Sequence, residues 1–245
     1  MTPPTAADDE DQPVVIAPAA PEPGRPPAID LAGVTAGWRG RAPALVDVSL
    51  TLAAGATAVV HGGPGAGKTA LLHVLRAAMI PTAGRAAVLG SDIASLAPAV
   101  RRALRRRIGY IAATPLLAAA ENTFMAAAAP LRLTERTLSP RQAADVTEIL
   151  GYLGLGALAA APVEDLSGSQ RRLTAIARAF VAQPDVLLAD EPLAGLGPDA
   201  MSRVLRLLAE IARQQAAVVI ATQTPDMYAA LPARKVRLDR GRLAP

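Results

Sequence analysis

"HGGPGAGKTALLHVL", residues 61–75, opens on glycines, reaches Lys68 and Thr69, and runs straight into an apolar helical pattern. The order Gly62-x-x-Gly65-x-Gly67-Lys68-Thr69 satisfies G-x-x-x-x-G-K-[ST], and its context fits: an apolar strand at 56–61 before it, a helix read over 70–78 after it. Glycines let backbone N–H groups converge on a large anion, and the positive end of the following helix adds to the attraction. In this pattern Lys68 reaches the β- and γ-phosphates and the Thr69 hydroxyl ligates Mg²⁺. A glycine-rich turn with no ligand is the alternative. Only two lysines, Lys68 and Lys235, stand among 23 arginines, and one of them is in this loop, where a compact ammonium fits between phosphates better than a planar guanidinium.

The surrounding chain alternates strands and helices. "ALVDVSLTL" (44–52) sets Val46, Val48, Leu50 and Leu52 against Asp47, Ser49 and Thr51, the pattern of a half-buried strand. Further strands are read at 84–90 and in "IGYI", with a helix at 97–107 between them and a mostly helical stretch over 115–183. Ser139-Pro140-Arg141-Gln142 is a capping box with Pro at the first helical position. "VLLADEP" (186–192) and "AVVIAT" (217–222) are continuous apolar runs, as strands covered on both faces require, with a helix at 199–214 between them. The class is α/β with a short β-rich start and a helical insertion. In "VLLADEP" the apolar residues deliver Asp190 to the strand's carboxyl end, where it can hold a magnesium-bound water, while Glu191 can polarise an attacking water. A plain acidic turn is the alternative.

Composition bounds the rest. Half of the 245 residues are apolar but only six are aromatic, so the core is built from Ala, Leu, Val and Ile. A chain of this length buries roughly 70–75% of its unfolded surface. The absence of cysteine excludes disulfides and thiolate metal sites. No run of about 18 uncharged apolar residues and no basic, apolar leader are present, so neither a membrane span nor a signal peptide is expected. Residues 1–27 hold five acids, one arginine and eight prolines, the composition of a disordered tail. The remainder carries 24 basic and 16 acidic residues, which suits anionic lipid or nucleic acid, or simply reflects a preference for arginine. Arg101, Arg102, Arg105, Arg106 and Arg107 make either a solvated helix face or a contact for acidic groups of a partner or lipid.

"LSGSQRRLTAIARAF" (166–180) resembles the signature helix of ATP-binding-cassette (ABC) ATPases, whose usual form is LSGGQ followed by a basic helix ending A-R-A. Leu166, Ser167, Gly168, Gln170, Ile176, Ala177, Arg178 and Ala179 match, and the order of phosphate loop, helical insertion, signature, "VLLADEP" and "LDRGRL" is also the family's. "LRRRIGYI", "AAAENTF" and "VLLADEP" look closest to the subgroup of the cell-division protein FtsE and the lipoprotein-releasing and macrolide-export ATPases. The resemblance covers residues 28–243. It implies a P-loop NTPase (RecA-like) core with a parallel central sheet, an N-terminal antiparallel β-subdomain and a helical subdomain inserted at about 114–183, so that an ABC ATP-binding domain fills 28–245. It also implies ATP and Mg²⁺ as cofactors. Gly62, Gly63, Pro64, Gly65, Ala66, Gly67, Lys68, Thr69 and Ala70 would hold the phosphates, Trp38 would stack on adenine, and Thr69 and Asp190 would hold the metal. Trp38 packed in a small sheet is the alternative there. Glu191 would be the general base. Ser167 and Gly168 would contact the γ-phosphate bound by a second subunit, since the family works as a head-to-tail dimer.

Four positions depart from the family pattern. Ala113 stands after "IGYI" where the family has a Gln that touches Mg²⁺ and attacking water. Ser169 replaces the second signature glycine and puts a Cβ where backbone approaches phosphate. Gly197 replaces an Asp that helps couple the two sites, and Gln223 replaces a His; Gln still donates to a phosphate oxygen but does not titrate. In a mixed dimer both sites would be touched, whoever the partner is. Two functions follow from the resemblance: the ATPase subunit of a membrane complex, cytoplasmic and held at the inner face by transmembrane permease subunits, in a homodimer or a heterodimer with another ABC subunit; or a regulatory switch that closes on ATP and hydrolyses it poorly. A soluble P-loop kinase leaves the signature unexplained. A nucleic-acid partner is not expected, because ABC proteins of that kind carry paired cassettes or coiled-coil arms.

Overall fold

The computed structural model describes residues 26–118, 121–133 and 137–244. The acidic, proline-rich tail, save its last two residues, lies outside the described residues. The remainder builds two sheets and a set of helices. Strands β1 (Ile29–Ala36), β2 (Leu45–Leu52), β4 (Ala83–Val88) and β5 (Ser91–Asp92) form an antiparallel sheet in the order β2-β1-β4-β5. β3 (Thr57–His61), β6 (Ile108–Ile111), β7 (Val186–Asp190), β8 (Ala217–Thr222), β9 (Ala233–Asp239) and β10 (Arg242–Ala244) form the second, ordered β10-β9-β3-β8-β7-β6. It is parallel throughout except where β10 turns back along β9.

This is the α/β architecture expected, with two local corrections in the first sheet. β1 is missed by period-2 reading because its buried positions, Ile29 and Leu31 and then Val34 and Ala36, change phase at Gly33, where φ is 61 and the register slips. An extra residue in one strand has this effect. In β2 the buried set is Leu45, Val48, Leu50 and Leu52, with Val46 only half-buried, because Asp47 adopts φ 57 and breaks the alternation.

The large sheet is covered on both faces. Every residue of β7 and β8 is buried, which is why these strands read as unbroken apolar runs. Alternate residues feed two cores. Ala58, Val60, Leu188 and Val219 pack with α1 (Lys68–Leu75) and the antiparallel sheet. Val59, Leu187, Val218 and Ile220 pack with the helices of the other face.

Those helices are α3 (Thr123–Arg132), α4 (Pro140–Tyr152), α5 (Gly168–Phe180) and α6 (Pro198–Arg213). The capping box at Ser139 and Gln142 forms, and a second one, Ser167 with Gln170, starts α5. Residues 115–118 are not helical, so the helical stretch begins later than its sequence suggests. On α2 (Pro98–Arg106) only Leu104 is buried. Arg105 donates to the Ala77 carbonyl, Arg101 to that of Leu96, and Arg107 pairs with Asp185, so part of the basic cluster is engaged within the chain. Among the described residues no helix is long and apolar enough to cross a membrane.

Candidate nucleotide site

The glycine loop leaves the carboxyl end of β3, between its parallel neighbours β8 and β9. Two of its glycines are demanded by their surroundings. A Cβ on Gly62 would lie 2.1 Å from the Leu238 carbonyl oxygen, and one on Gly67, whose φ is 105, would lie 2.5 Å from that of Ala44. The β9–β10 turn braces the loop further, since the Gly241 N–H donates to the Ala66 carbonyl at 2.9 Å. α1 begins at Lys68, two residues before the expected start, with Gly67 as a cap that offers no side chain. Its first N–H groups are therefore left without a side-chain acceptor, as an anion-binding helix end requires. Ala70 is buried in this first turn.

Lys68 is buried, and its Nζ donates to the carbonyls of Gly62 at 2.6 Å and Gly63 at 3.0 Å. The ammonium is thus held over the loop itself. The Thr69 hydroxyl donates to Asp190 Oδ2 at 2.7 Å, so the first turn of α1 and the end of β7 deliver one oxygen each to a single point. Asp190 is buried, and its carboxyl is pushed above the usual range, chiefly by desolvation and also by the charge of Glu191; the Thr69 hydrogen bond, Lys68 and His73 act the other way. A hard cation placed here would reverse the desolvation effect. The donor set suits magnesium, which takes one or two protein oxygens and fills its shell with phosphate oxygens and water.

Glu191 adopts φ 47, a left-handed conformation that a non-glycine residue keeps only when its surroundings impose it. Four contacts do so. Its N–H donates to the Ala221 carbonyl at 2.9 Å, and its own carbonyl accepts from Arg172 Nη1 at 3.0 Å. Its carboxylate accepts from the Thr222 hydroxyl at 3.0 Å and from the Gln223 backbone N–H at 2.7 Å. The carboxylate is therefore pinned to the end of β8. Tyr228, buried beside it, has its hydroxyl pushed upward first by desolvation and also by the Glu191 charge.

The remaining sequence candidates divide by location. Trp38 is 47% exposed and stands edge-on to His73 of α1, with ring centroids 6.4 Å apart, so the residue expected to carry adenine does sit against the helix of the phosphate loop. The stack continues from His73 to Tyr110, whose ring lies 4.3 Å from the Arg76 guanidinium. Ser167 and Gly168 are exposed at the start of α5, and neither is hydrogen-bonded to the phosphate loop among the described residues. Ser169 places its hydroxyl 3.2 Å from that of Ser167. A Cβ at Gly197 would meet nothing within 4 Å, so the backbone there does not require glycine. Ala113 is exposed, and its carbonyl accepts from Arg172 Nη2 at 2.7 Å. Gln223 acts on Glu191 through its backbone N–H.

Residues 45–194 match the ABC transporter family. The chain belongs to that family. Among curated relatives, the methionine import ATP-binding protein MetN of Caulobacter vibrioides is 36% identical over 84% of this chain and 62% of its own length. The MetN of Cereibacter sphaeroides is 38% identical over 71% of this chain and 50% of its own. The chain thus spans between half and two thirds of these relatives. The lipoprotein-releasing system ATP-binding protein LolD 1 of Caulobacter vibrioides is 33% identical over 81% of this chain and 86% of its own length, in keeping with the subgroup suggested by the motifs. The fold matches the ATP-binding cassette MJ0796, solved as a dimer in a post-hydrolysis state with ADP and Pi, at TM-score 0.81 and 24% identity over 89% of this chain and 97% of that one.

As an ABC cassette, the chain exposes only the start of its signature helix, at Ser167 and Gly168, and buries most of the rest, while Lys68, Thr69, Asp190 and Glu191 converge. Reading by motif misses Arg172, Thr222 and Tyr228, whose partners lie in elements far along the chain. Only the basic character of the α5 start hinted at Arg172.

Proposed function

We propose that this chain is the ATP-binding and ATP-hydrolysing subunit of a transport complex, binding Mg²⁺-ATP at the loop of residues 62–70 and working as a head-to-tail dimer beneath transmembrane permease subunits at the inner face of the cell membrane. The observation that carries this reading is the Thr69–Asp190 hydrogen bond beside the buried Lys68, with Glu191 next along the chain. The chain's own residues divide the work. Loop N–H groups and Lys68 hold the β- and γ-phosphates, Thr69 and Asp190 hold the metal, Trp38 takes adenine, and Glu191 accepts the proton of the attacking water. Mg²⁺, when bound, neutralises charge on the transferring phosphoryl group. Ser167 and Gly168, exposed at the start of a helix, would complete the site of a second subunit.

The alternative, a cassette that closes on ATP and turns over slowly, is favoured by one feature: Ala113 brings no side-chain amide to the site and offers only a carbonyl, already taken by Arg172. Phosphate release measured beside equilibrium ATP binding decides between them. Turnover near the usual enzyme scale of about 10 s⁻¹ supports the ATPase. Tight binding with no release supports the switch. Lys68→Ala should remove most ATP affinity, whereas Glu191→Gln should keep affinity and abolish release; unchanged binding in Lys68→Ala would remove the phosphate-loop assignment.

A further inference from the structure

We propose that Arg172 is a positioning residue that fixes Glu191 in its strained backbone conformation and ties that conformation to the seating of helix α5; the proposal rests on the ATPase reading for its kinetic part only. The guanidinium joins three segments that are remote in sequence. It leaves the first turns of α5, donates through Nη1 to the Glu191 carbonyl at 3.0 Å, and donates through Nη2 to the Ala113 carbonyl at 2.7 Å. Glu191 sits between β7 and the turn that follows; Ala113 sits just beyond β6. One planar group with donors in a fixed fork can satisfy both carbonyls at once, which a single-point ammonium cannot do with the same geometry.

The consequence for Glu191 is specific. A non-glycine residue at φ 47 reverts to a relaxed conformation unless the peptides on both sides are held. The Ala221 carbonyl holds the N–H side and Arg172 holds the carbonyl side. With both in place, the carboxylate reaches Thr222 and the Gln223 N–H. Releasing the Arg172 bond frees one side of this frame. The guanidinium is half-buried; desolvation pulls its pKa down, and the charges of Glu191 first and of Asp190 oppose that pull, so it lies in the field of the two carboxylates at the end of β7.

The same bond is a mechanical link. α5 starts at Ser167 and Gly168, so a displacement of that exposed helix end moves Arg172, and Arg172 moves both Glu191 and the segment after β6. Ala113 contributes through its carbonyl, so its lack of a polar side chain is compatible with this link.

The test compares wild type with Arg172→Ala, Arg172→Met and Arg172→Lys in full-length protein, reading phosphate release, equilibrium ATP binding and amide hydrogen exchange. Arg172→Ala and Arg172→Met should lower kcat by about tenfold or more with KM and ATP affinity unchanged. Arg172→Lys should recover part of the loss, and added guanidinium ion at millimolar concentration should raise kcat of Arg172→Ala but not of wild type. The Glu191 amide should exchange faster in Arg172→Ala and slow again with guanidinium. Wild-type kcat in Arg172→Ala, or a loss matched by weaker ATP binding and untouched by guanidinium, overturns the proposal. If wild type releases no phosphate, the ATPase reading fails; the exchange experiment then decides, since unchanged exchange at Glu191 in all three variants overturns the positioning role by itself.

Discussion

At the scale of single residues, a buried charge opposes stability. Asp190 is almost fully buried, and desolvation raises its carboxyl pKa, so the ionised form is disfavoured in the folded, ligand-free protein. Asp190→Asn keeps an oxygen to accept from Thr69 and removes the buried charge. The expected outcome is a higher melting temperature without nucleotide, together with weaker Mg²⁺-dependent ATP binding; calorimetry and titration read the two effects separately. Trp38 gives the complementary case. Half-exposed against His73, it contributes little to the core, and Trp38→Ala should leave the melting temperature nearly unchanged while weakening ATP binding by about 1–3 kcal/mol, the scale of base stacking on an aromatic. Equal affinity in the variant would mean that adenine lies elsewhere.

At the scale of elements, the phosphate loop depends on a hairpin it does not touch in sequence. Strand β9 supplies the Leu238 carbonyl that excludes any side chain at Gly62, and the β9–β10 turn supplies the Gly241 N–H that holds Ala66. Gly62→Ala must push β9 away or distort the loop. Overpacking of this kind costs about 1–3 kcal/mol, and here the loss should appear both in chemical denaturation and as weakened ATP binding. A variant with wild-type stability and affinity would show that the hairpin yields freely. This bracing explains why "LDRGRL" belongs to the nucleotide site although it carries none of the site's chemistry.

At the scale of the whole molecule, acid should loosen the fold through His73. Desolvation first, and then the Arg76 charge, lower its pKa below the ordinary 6.5, with Asp190 opposing. A base whose folded pKa is depressed binds fewer protons folded than unfolded, so stability falls as pH drops below about 6.5 and is fully present above it. The groups around His73 are Trp38, Tyr110, Arg76 and Asp190. Because Asp190 titrates with the opposite sign, the difference between wild type and His73→Phe isolates the effect. Unfolding free energies across pH 5 to 7.5 should fall toward acid more steeply in wild type; parallel curves would assign the acid sensitivity to other groups.

The phosphate loop, the acidic pair at the end of β7, the buried parallel strands and the Ser139 cap were legible in the sequence, because each is a local contract: spacing, periodicity or a cap within four residues sets its geometry; the matching cap at Ser167 and Gln170 came only with the structure. The phase change in β1 was not legible, since a bulge is defined by the partner strand it slips against. Trp38 could be named only through resemblance, and its place beside His73 came from packing between the small sheet and α1. Glu191 was legible as a carboxylate after a strand, but its left-handed backbone, its pinning by Thr222 and Gln223, and the grip of Arg172 were not. Those contacts join residues 19 to 32 positions apart, and for Arg172 and Ala113, 59. The sequence by itself determined where the phosphate-loop pattern and the acidic pair stand, because those signals lie in residue type and short spacing. Only the tertiary structure decided how the Glu191 carboxylate is held and which helix contacts its backbone, because those contacts exist only once β6, β7, β8 and α5 have packed together.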